Sequence, residues 1–361
     1  MLHKLIRFWL LFGLTSTLSG CNIKLIIDTD GVFDDIRALA IALTNPNVEV
    51  VAITTVHGGI AANQSAANVA RLLRAVGKTS VPIFIGANDS LIPKGPIEVW
   101  EELFGYDGIG GVPQAYPATE QSDFTTAQPQ AADDAIINLT KTTEDIIIVG
   151  LGPLTNIATA LQKDPLISRR IRKLVIMGGN YMGIGNTKSY SSAEFNFLMD
   201  PEAANIVLST VPATIIPWDT CYLKAPEYSE EVDYEESLHQ NTNLSYFLSN
   251  ITARGRQHNN ATGSIYSFVD DIAVAFAIDH SVATDSLELY ASVELEKNAS
   301  TRAQVIIDWY SAVYDKSIHS YTADKEKNDV NWLSHTFVTD YNANKVNEML
   351  IGAVKANITT I

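Results

Sequence analysis

Cysteine and positive charge are both scarce in this sequence of 361 residues. Its two cysteines, Cys21 and Cys221, are too few for a disulfide framework. Lysine and arginine together number 25 against 41 aspartates and glutamates, which gives a formal net charge of −16. Because such a surface repels phosphate backbones, we expect no nucleic-acid partner and instead expect neutral small molecules or cations as ligands.

Long hydrophobic runs are also missing, apart from one short stretch near the N-terminus. Basic "MLHKLIRF" is followed there by apolar "WLLFGLTSTL", which is too short to span a bilayer and predicts an export signal over residues 1–21. The small residues Ser19 and Gly20 before Cys21 resemble the lipobox of bacterial lipoproteins, in which the cysteine is lipidated. We therefore predict a periplasmic protein anchored to the membrane only through a lipid on Cys21; an ordinary export signal is the alternative.

Residues 22–361 show neither an internal repeat nor a linker, and apolar residues make up 46% of the chain. Apolar segments rich in β-formers alternate with helical patterns, beginning with "KLIID" and "DDIRALAIAL". This alternation predicts one α/β domain with a mainly parallel, Rossmann-like sheet flanked by helices. We further expect a polar loop over 88–129, a polar helical region over 226–260 with a break at "NNATG", and paired strands at "LELYASVEL" and "TRAQVIIDW".

Four acids follow closely on the first predicted strand, in "KLIIDTDGVFDD": Asp28, Asp30, Asp34 and Asp35. The first two share a face if the strand continues, and the last two open the next helix. Sites of open α/β sheets lie at the carboxyl ends of strands. Carboxylates packed there raise one another's pKa, and a hard cation such as Ca²⁺, which takes six to eight oxygen ligands, removes that conflict. Helix capping is the simpler alternative, but it needs one acid and not four.

Two known families resemble this stretch. "IIDTDGV" is similar to the signature of haloacid dehalogenase phosphatases, in which Asp28 would be the nucleophile and Asp30 the general acid. That family also needs a late acidic segment with a glycine, and the candidate "FVDDIAVA" has none. "IIDTDGVFDDIRALAIAL" instead resembles the calcium-dependent, inosine-uridine preferring nucleoside hydrolases, and this resemblance continues through "IVGLGPLTNIATAL", "KLVIMGGNY" and "SSAEFNFLMDPEAANIVL".

The second resemblance implies an enzyme that splits ribonucleosides into ribose and free base, and commonly a homodimer or homotetramer. It implies one Ca²⁺ bound by Asp30, Asp35, the carbonyl of Leu151 and Asp270, although the alignment leaves Asp271 open as the late ligand. It makes Asp34 the base that takes a proton from the attacking water. The remaining implied roles are ribose binding and support of the first loop, by Asn186, Glu194 and Asn196, and by Asp28.

The sequence departs from the family pattern at three places. Gly31 and Val32 replace a Pro-Gly pair, Gly59 replaces an asparagine that contacts ribose, and Val269 replaces the histidine that protonates the leaving base. Side chains that could replace this histidine, each with a structural role as the alternative, are His57, His258, Tyr266 and Trp218. Loss of the proton donor favours a second hypothesis, a calcium-dependent ribose or nucleoside binding protein without turnover.

Overall fold

The computed structural model describes residues 22–93, 100–310 and 332–356. The predicted signal segment and the lipidation of Cys21 lie outside the described residues. Within the described ranges, no helix is both long and apolar enough to cross a membrane.

One mixed sheet crosses the described part of the chain. Its strand order is β3-β2-β1-β4-β5-β6-β9-β7-β8, and the pairs from β3 to β9 are parallel, whereas β7 runs antiparallel to β9 and β8. The strands are β1 (Ile23–Thr29), β2 (Val48–Thr55), β3 (Ile83–Ile85), β4 (Ile146–Gly150), β5 (Lys173–Met177), β6 (Thr214–Ile216), β7 (Ala283–Val293), β8 (Val305–Ile307) and β9 (Leu333–Tyr341). The predicted α/β fold with a mainly parallel sheet is confirmed.

Helices cover both faces of this sheet. In chain order they are α1 (Phe33–Thr44), α2 (Ala62–Ala75), α3 (Glu101–Phe104), α4 (Ala132–Thr142), α5 (Thr155–Lys163), α6 (Ile167–Arg170), α7 (Phe195–Met199), α8 (Pro201–Thr210), α9 (Trp218–Tyr228), α10 (Asn243–Thr262), α11 (Asp270–Ile278) and α12 (Ala343–Lys355). Successive residues of β1 point to opposite faces, so Leu25 and Ile27 pack with α1 and α11 while Ile26 packs with α4, α5 and α8.

One local prediction was wrong in its extent, and two others were confirmed with differences. The strand predicted over "ATIIPWD" ends at Ile216, and Trp218 already begins α9. The predicted break at "NNATG" occurs at the last residue of that segment, because α10 continues to Thr262 and ends at Gly263, whose left-handed φ of +73° suits a glycine. The two paired strands, β7 and β8, do form, but β7 also pairs along most of its length with β9, which was not predicted.

The strand order reverses between β1 and β4, and the space outside the carboxyl ends of these two strands is called the crevice below. From β1 the chain builds outward first through β2 and β3 and then, on the other side, through β4, β5 and β6. Open α/β sheets bind ligands at such a reversal of strand order, outside the carboxyl ends of the strands. The loops that leave β1 and β4 there are residues 30–32 and 151–154.

Candidate active site

Carboxylates from both ends of the chain meet in this crevice. Asp34, Asp35 and Asp270 each place one carboxylate oxygen within 4.8 Å of the other two. Asp30 lies beside them, close enough to Asp35 for their carboxyl groups to share a hydrogen bond. Asp34 as a whole residue is partly exposed, whereas the other three are buried.

The turn after β1 is built to present these acids. The Thr29 hydroxyl donates to Asp35 Oδ1 and accepts from the N–H of Gly31 at 3.1 Å. Gly31 has a φ of +69°, and a Cβ there would overlap the side chain of Ser65. Val32 is extended, with φ −81° and ψ 178°. The conformational freedom that only glycine offers is therefore needed at Gly31, and Val32 disturbs nothing.

The electrostatics of the cluster suit a divalent cation. Burial raises the pKa of Asp34 to about 7, with a further contribution from Asp30, and it raises those of Asp35 and Asp270 well above their usual range. Within the described ranges, the buried Oδ1 of Asp34 has no hydrogen-bond partner. An all-oxygen donor set with unsatisfied, mutually repelling carboxylates fits a hard cation such as Ca²⁺.

The loop after β4 joins this cluster to the predicted ribose-binding residues. The N–H of Leu151 donates to the Asp28 carbonyl at 2.8 Å, and the Leu151 carbonyl accepts from Asn196 Nδ2 at 2.8 Å. The Glu194 carboxylate accepts from three backbone N–H groups at the start of α7 and after β5, those of Gly179, Asn196 and Phe197. Burial raises the pKa of Glu194 to about 7, and the charge of Asp30 adds to this. Glu194, Asn196 and Leu151 thus border the acids.

Asn186 lies on the long loop that follows β5. Its Oδ1 accepts from the N–H of Phe195 at 2.8 Å, which holds this loop against the start of α7. The buried Asp219 carboxylate also holds this loop, because it accepts from the N–H groups of Tyr181 at 2.6 Å and of Ile184 at 3.2 Å. Asp219 was missed from the sequence, and the available signal was its position in the first turn of the helix that follows β6.

Asp28 lies behind the cluster, inside β1. Its Oδ1 accepts from the hydroxyl of Thr54 at 2.6 Å and from Asn156 Nδ2 at 2.8 Å. Burial raises its pKa to about 7. These bonds tie β1 to β2 and to the start of α5. Asp28 therefore supports the loop that carries Asp30.

Two glycines after β2 contact Asp30. The N–H of Gly59 donates to Asp30 Oδ2 at 3.1 Å, which holds this carboxylate against the loop after β2. A Cβ on Gly58 would overlap the Asp30 carboxylate, whereas a Cβ on Gly59 would meet only Val32, at 3.3 Å. The crevice floor therefore requires glycine at position 58.

Four side chains were candidates to replace the missing histidine. In the described residues, no contact places any of them both beside Val269 and open to the crevice. The Tyr266 hydroxyl is buried and its ring lies under Arg37. His57 is buried and its Nε2 bonds the hydroxyl of Thr155 at 3.1 Å. The other two are partly exposed: His258 lies on α10, and the Trp218 ring stacks on that of Tyr222, 6.0 Å away.

The two late acids separate at the start of α11. Asp270 joins the cluster, whereas Asp271 turns away and forms an ion pair with Arg37. Neither the ion pair nor Arg37 was anticipated from the sequence, because the two residues lie 234 positions apart.

The comparisons with known proteins agree with this geometry. The probable uridine nucleosidase 2 of Arabidopsis thaliana is 33% identical over 191 residues, which cover 53% of this chain and 57% of that protein. The inosine-uridine preferring nucleoside hydrolase of Crithidia fasciculata is 35% identical over 272 residues, which cover 72% of this chain and 80% of that protein. The chain thus spans little more than half the length of the plant relative.

Solved structures match over most of the chain. An inosine-guanosine nucleoside hydrolase has a TM-score of 0.77 at 28% identity, covering 92% of this chain and 99% of that one. A purine-preferring ribonucleoside hydrolase from Gardnerella vaginalis has a TM-score of 0.75 at 25% identity, covering 93% and 98%. The family model for inosine-uridine preferring nucleoside hydrolases matches residues 25–348. This chain therefore belongs to the inosine-uridine preferring nucleoside hydrolase family.

Proposed function

We propose that this protein hydrolyses the N-glycosidic bond of ribonucleosides, releasing ribose and the free base, with Ca²⁺ bound at the acid cluster. The observation that carries the proposal is the convergence of Asp34, Asp35 and Asp270 beside Asp30. Relatives named as uridine and inosine-uridine nucleosidases support the substrate class.

The residues that would hold Ca²⁺ are Asp30, Asp35 and Asp270, with the carbonyl of Leu151. All are oxygen donors, which is the ligand type that calcium prefers. Bound there, Ca²⁺ would neutralise the repelling carboxylates and make a water molecule more acidic.

Asp34 would act as the general base. Its carboxylate takes one proton as the water oxygen bonds to the anomeric carbon of the ribose. The C–N bond breaks at the same time, its electron pair leaves with the base, and the base then takes up a proton. Positive charge that develops on the sugar is stabilised by the surrounding carboxylates.

Three side chains would hold the ribose. Glu194 and Asn196 border the acids, and Asn186 lies on the loop fixed against the start of α7. Hydroxyl groups of the sugar can donate to the Glu194 carboxylate and pair with both amides. These contacts would fix the anomeric carbon in front of Asp34.

Protonation of the leaving base has no side-chain donor at position 269. Val269 carries no proton donor, so the base would be protonated by solvent. This one observation favours the second candidate function, a calcium-dependent nucleoside or ribose binding protein. The partly exposed Asp34 favours the enzyme, because a binding protein needs no general base.

Ribose release from inosine, uridine and other nucleosides tests the proposal. Wild type should release ribose, excess chelator should stop the release, and Asp34→Asn should lower kcat at least about a hundredfold while calcium still binds. Tight nucleoside binding without any ribose would replace the enzyme by the binding protein. Phosphate release from phosphomonoesters with Mg²⁺ would instead favour the phosphatase reading.

Export and assembly belong to the proposal as well. We propose lipidation of Cys21 after removal of the preceding residues, anchorage on the periplasmic side, and a dimer or tetramer. Mass spectrometry of the N-terminal peptide would show a lipid mass on Cys21, and light scattering would give the mass of the assembly. An unmodified Cys21 in membrane-extracted protein would rule out the anchor.

A further inference from the structure

A buried ion pair joins the two helices α1 and α11, which carry Asp34, Asp35 and Asp270. Arg37 lies on α1, three residues after Asp34, and Asp271 follows Asp270 at the start of α11. The Arg37 side chain is 1% exposed and that of Asp271 is fully buried. Nε of Arg37 donates to Asp271 Oδ1 at 2.8 Å, and Nη2 donates to Oδ2. The two halves of the cluster are thus tied by a two-point contact.

Arg37 also holds the segment that leads into Asp270. Its Nη2 donates to the carbonyl of Ser267 at 2.7 Å. Its guanidinium lies over the rings of Tyr266 and Phe268, 4.8 and 5.6 Å from their centroids. One side chain from α1 therefore fixes both the backbone before Asp270 and the side chain after it.

Stability alone is a weak explanation for this arrangement. Burying an ion pair costs desolvation on both partners, and replacing such a pair by apolar residues is often neutral or stabilising. Position is the stronger explanation, because Arg37 contacts both the backbone of Ser267 before Asp270 and the side chain of Asp271 after it.

We propose that Arg37 is a positioning residue of the cation site, which sets the place of Asp270 relative to Asp34 and Asp35 by holding the start of α11. Its side chain is buried against protein groups, so it would act on the cation only through Asp270. The inference rests on the proposed function, since it assigns Arg37 to the same site.

The test measures calcium affinity and stability separately on the full chain. Arg37→Met leaves Asp271 buried without a partner and should lower the melting temperature of calcium-free protein. Adding Asp271→Leu removes that unpaired charge and should restore most of the stability. If Arg37 positions the site, calcium titration calorimetry on this double variant should still give a Kd at least about tenfold weaker than wild type.

A matched control is available on the neighbouring helix. Arg71 on α2 is also 1% exposed and lies over the ring of Phe247, but it donates to loop carbonyls, such as that of Pro117 at 2.6 Å. Arg71→Met should lower the melting temperature while leaving the calcium Kd within about twofold of wild type. Arg37→Lys keeps the charge without the two-point contact and should give an intermediate Kd.

The outcomes separate the two claims. If wild type binds calcium and the Arg37→Met, Asp271→Leu double variant binds it equally well, Arg37 is only structural and the inference is overturned. The same holds if Arg71→Met weakens calcium binding as strongly as the double variant does. If wild type itself takes up no calcium, the proposed function fails and this inference fails with it. Should Arg37→Met alone not fold, the double variant decides.

Discussion

At the scale of single residues, the site has all four acids that the family resemblance implies, but it has Val269 where that resemblance implies a histidine. Val269 precedes the late acid Asp270 and forms the N-terminal boundary of α11, with φ −134° and ψ −88°. Its N–H lies 3.4 Å from Asp271 Oδ2, so the backbone there is already held. The missing proton donor is therefore a side-chain property that one substitution can change.

Val269→His should speed nucleoside hydrolysis. An imidazole at this position can donate a proton to the leaving base, and general acid catalysis contributes about a hundredfold or more where geometry allows. We expect kcat to rise at least about tenfold, and the gain to fade as pH rises above the imidazole pKa of about 6.5. Steady-state kinetics across pH measures this, with Val269→Ala as control. An equal gain in Val269→Ala would contradict the proton-donor explanation.

Gly58→Ala should weaken calcium binding, whereas Gly59→Ala should not. The added Cβ at position 58 overlaps the Asp30 carboxylate, while at position 59 it meets Val32 at 3.3 Å. We expect the calcium Kd to rise at least about tenfold in the first variant and to stay within about threefold in the second. Calorimetry on both checks the pair. Equal affinities would show that Asp30 is not a ligand.

At the scale of elements, β9 is the piece that completes the sheet. It lies between β6 and β7, parallel to the first and antiparallel to the second. Its His335 is buried, and the N–H of Ala213, next to β6, donates to His335 Nδ1 at 3.2 Å. This bond requires a neutral ring, and burial lowers the pKa of His335 from 6.5 to about 4.

The stability of the protein should therefore fall in acid through His335. Between about pH 6.5 and 4, His335 is protonated in the unfolded chain but neutral in the folded chain. The stability that the neutral ring contributes is therefore complete above pH 6.5 and is lost as the pH falls towards 4. It amounts to at most about 3 kcal/mol of unfolding free energy. Glutamine in His335→Gln cannot titrate. The unfolding free energy of this variant, measured by urea unfolding at pH 7 and pH 4.5, should therefore fall less between the two pH values than that of the wild type. An equal loss of unfolding free energy in the variant and the wild type would refute this assignment to His335.

At the scale of the whole molecule, the proposed cation site joins residues from distant parts of the chain. Asp30 lies in the loop after β1, Asp35 lies on α1, and Asp270 lies on α11, which packs against α1. The unfolded chain has no such site, so the binding free energy of the cation adds to the folding free energy.

Calcium should consequently raise the melting temperature of the wild type, and chelator should lower it. At a free calcium concentration a hundred times the Kd, binding adds about 2.7 kcal/mol. Asp270→Asn removes one ligand and one repelling charge, so we expect it to be no less stable without calcium yet nearly insensitive to calcium. Scanning calorimetry with calcium, magnesium and chelator measures both. A calcium-dependent shift in Asp270→Asn equal to that of wild type would contradict the site.

The sequence predicts some of these features better than others, for physical reasons. The alternation of strands and helices and the acids around Asp34 follow from short-range patterns. Asp270 could be placed only through the resemblance to a family, because no spacing rule links residues so far apart. Arg37, Asp219 and the position of β9 were missed, since each depends on long-range packing that leaves no mark in the local sequence.

The most direct measurement of the central claim is the calcium content of purified protein, by elemental analysis after equilibration with calcium and removal of the free ion. The account predicts one calcium per chain in wild type, and loss of that calcium in both Asp30→Asn and Asp270→Asn. Absence of calcium from the wild type, or its retention in both variants, would contradict the claim that carboxylates from both ends of the chain build one cation site.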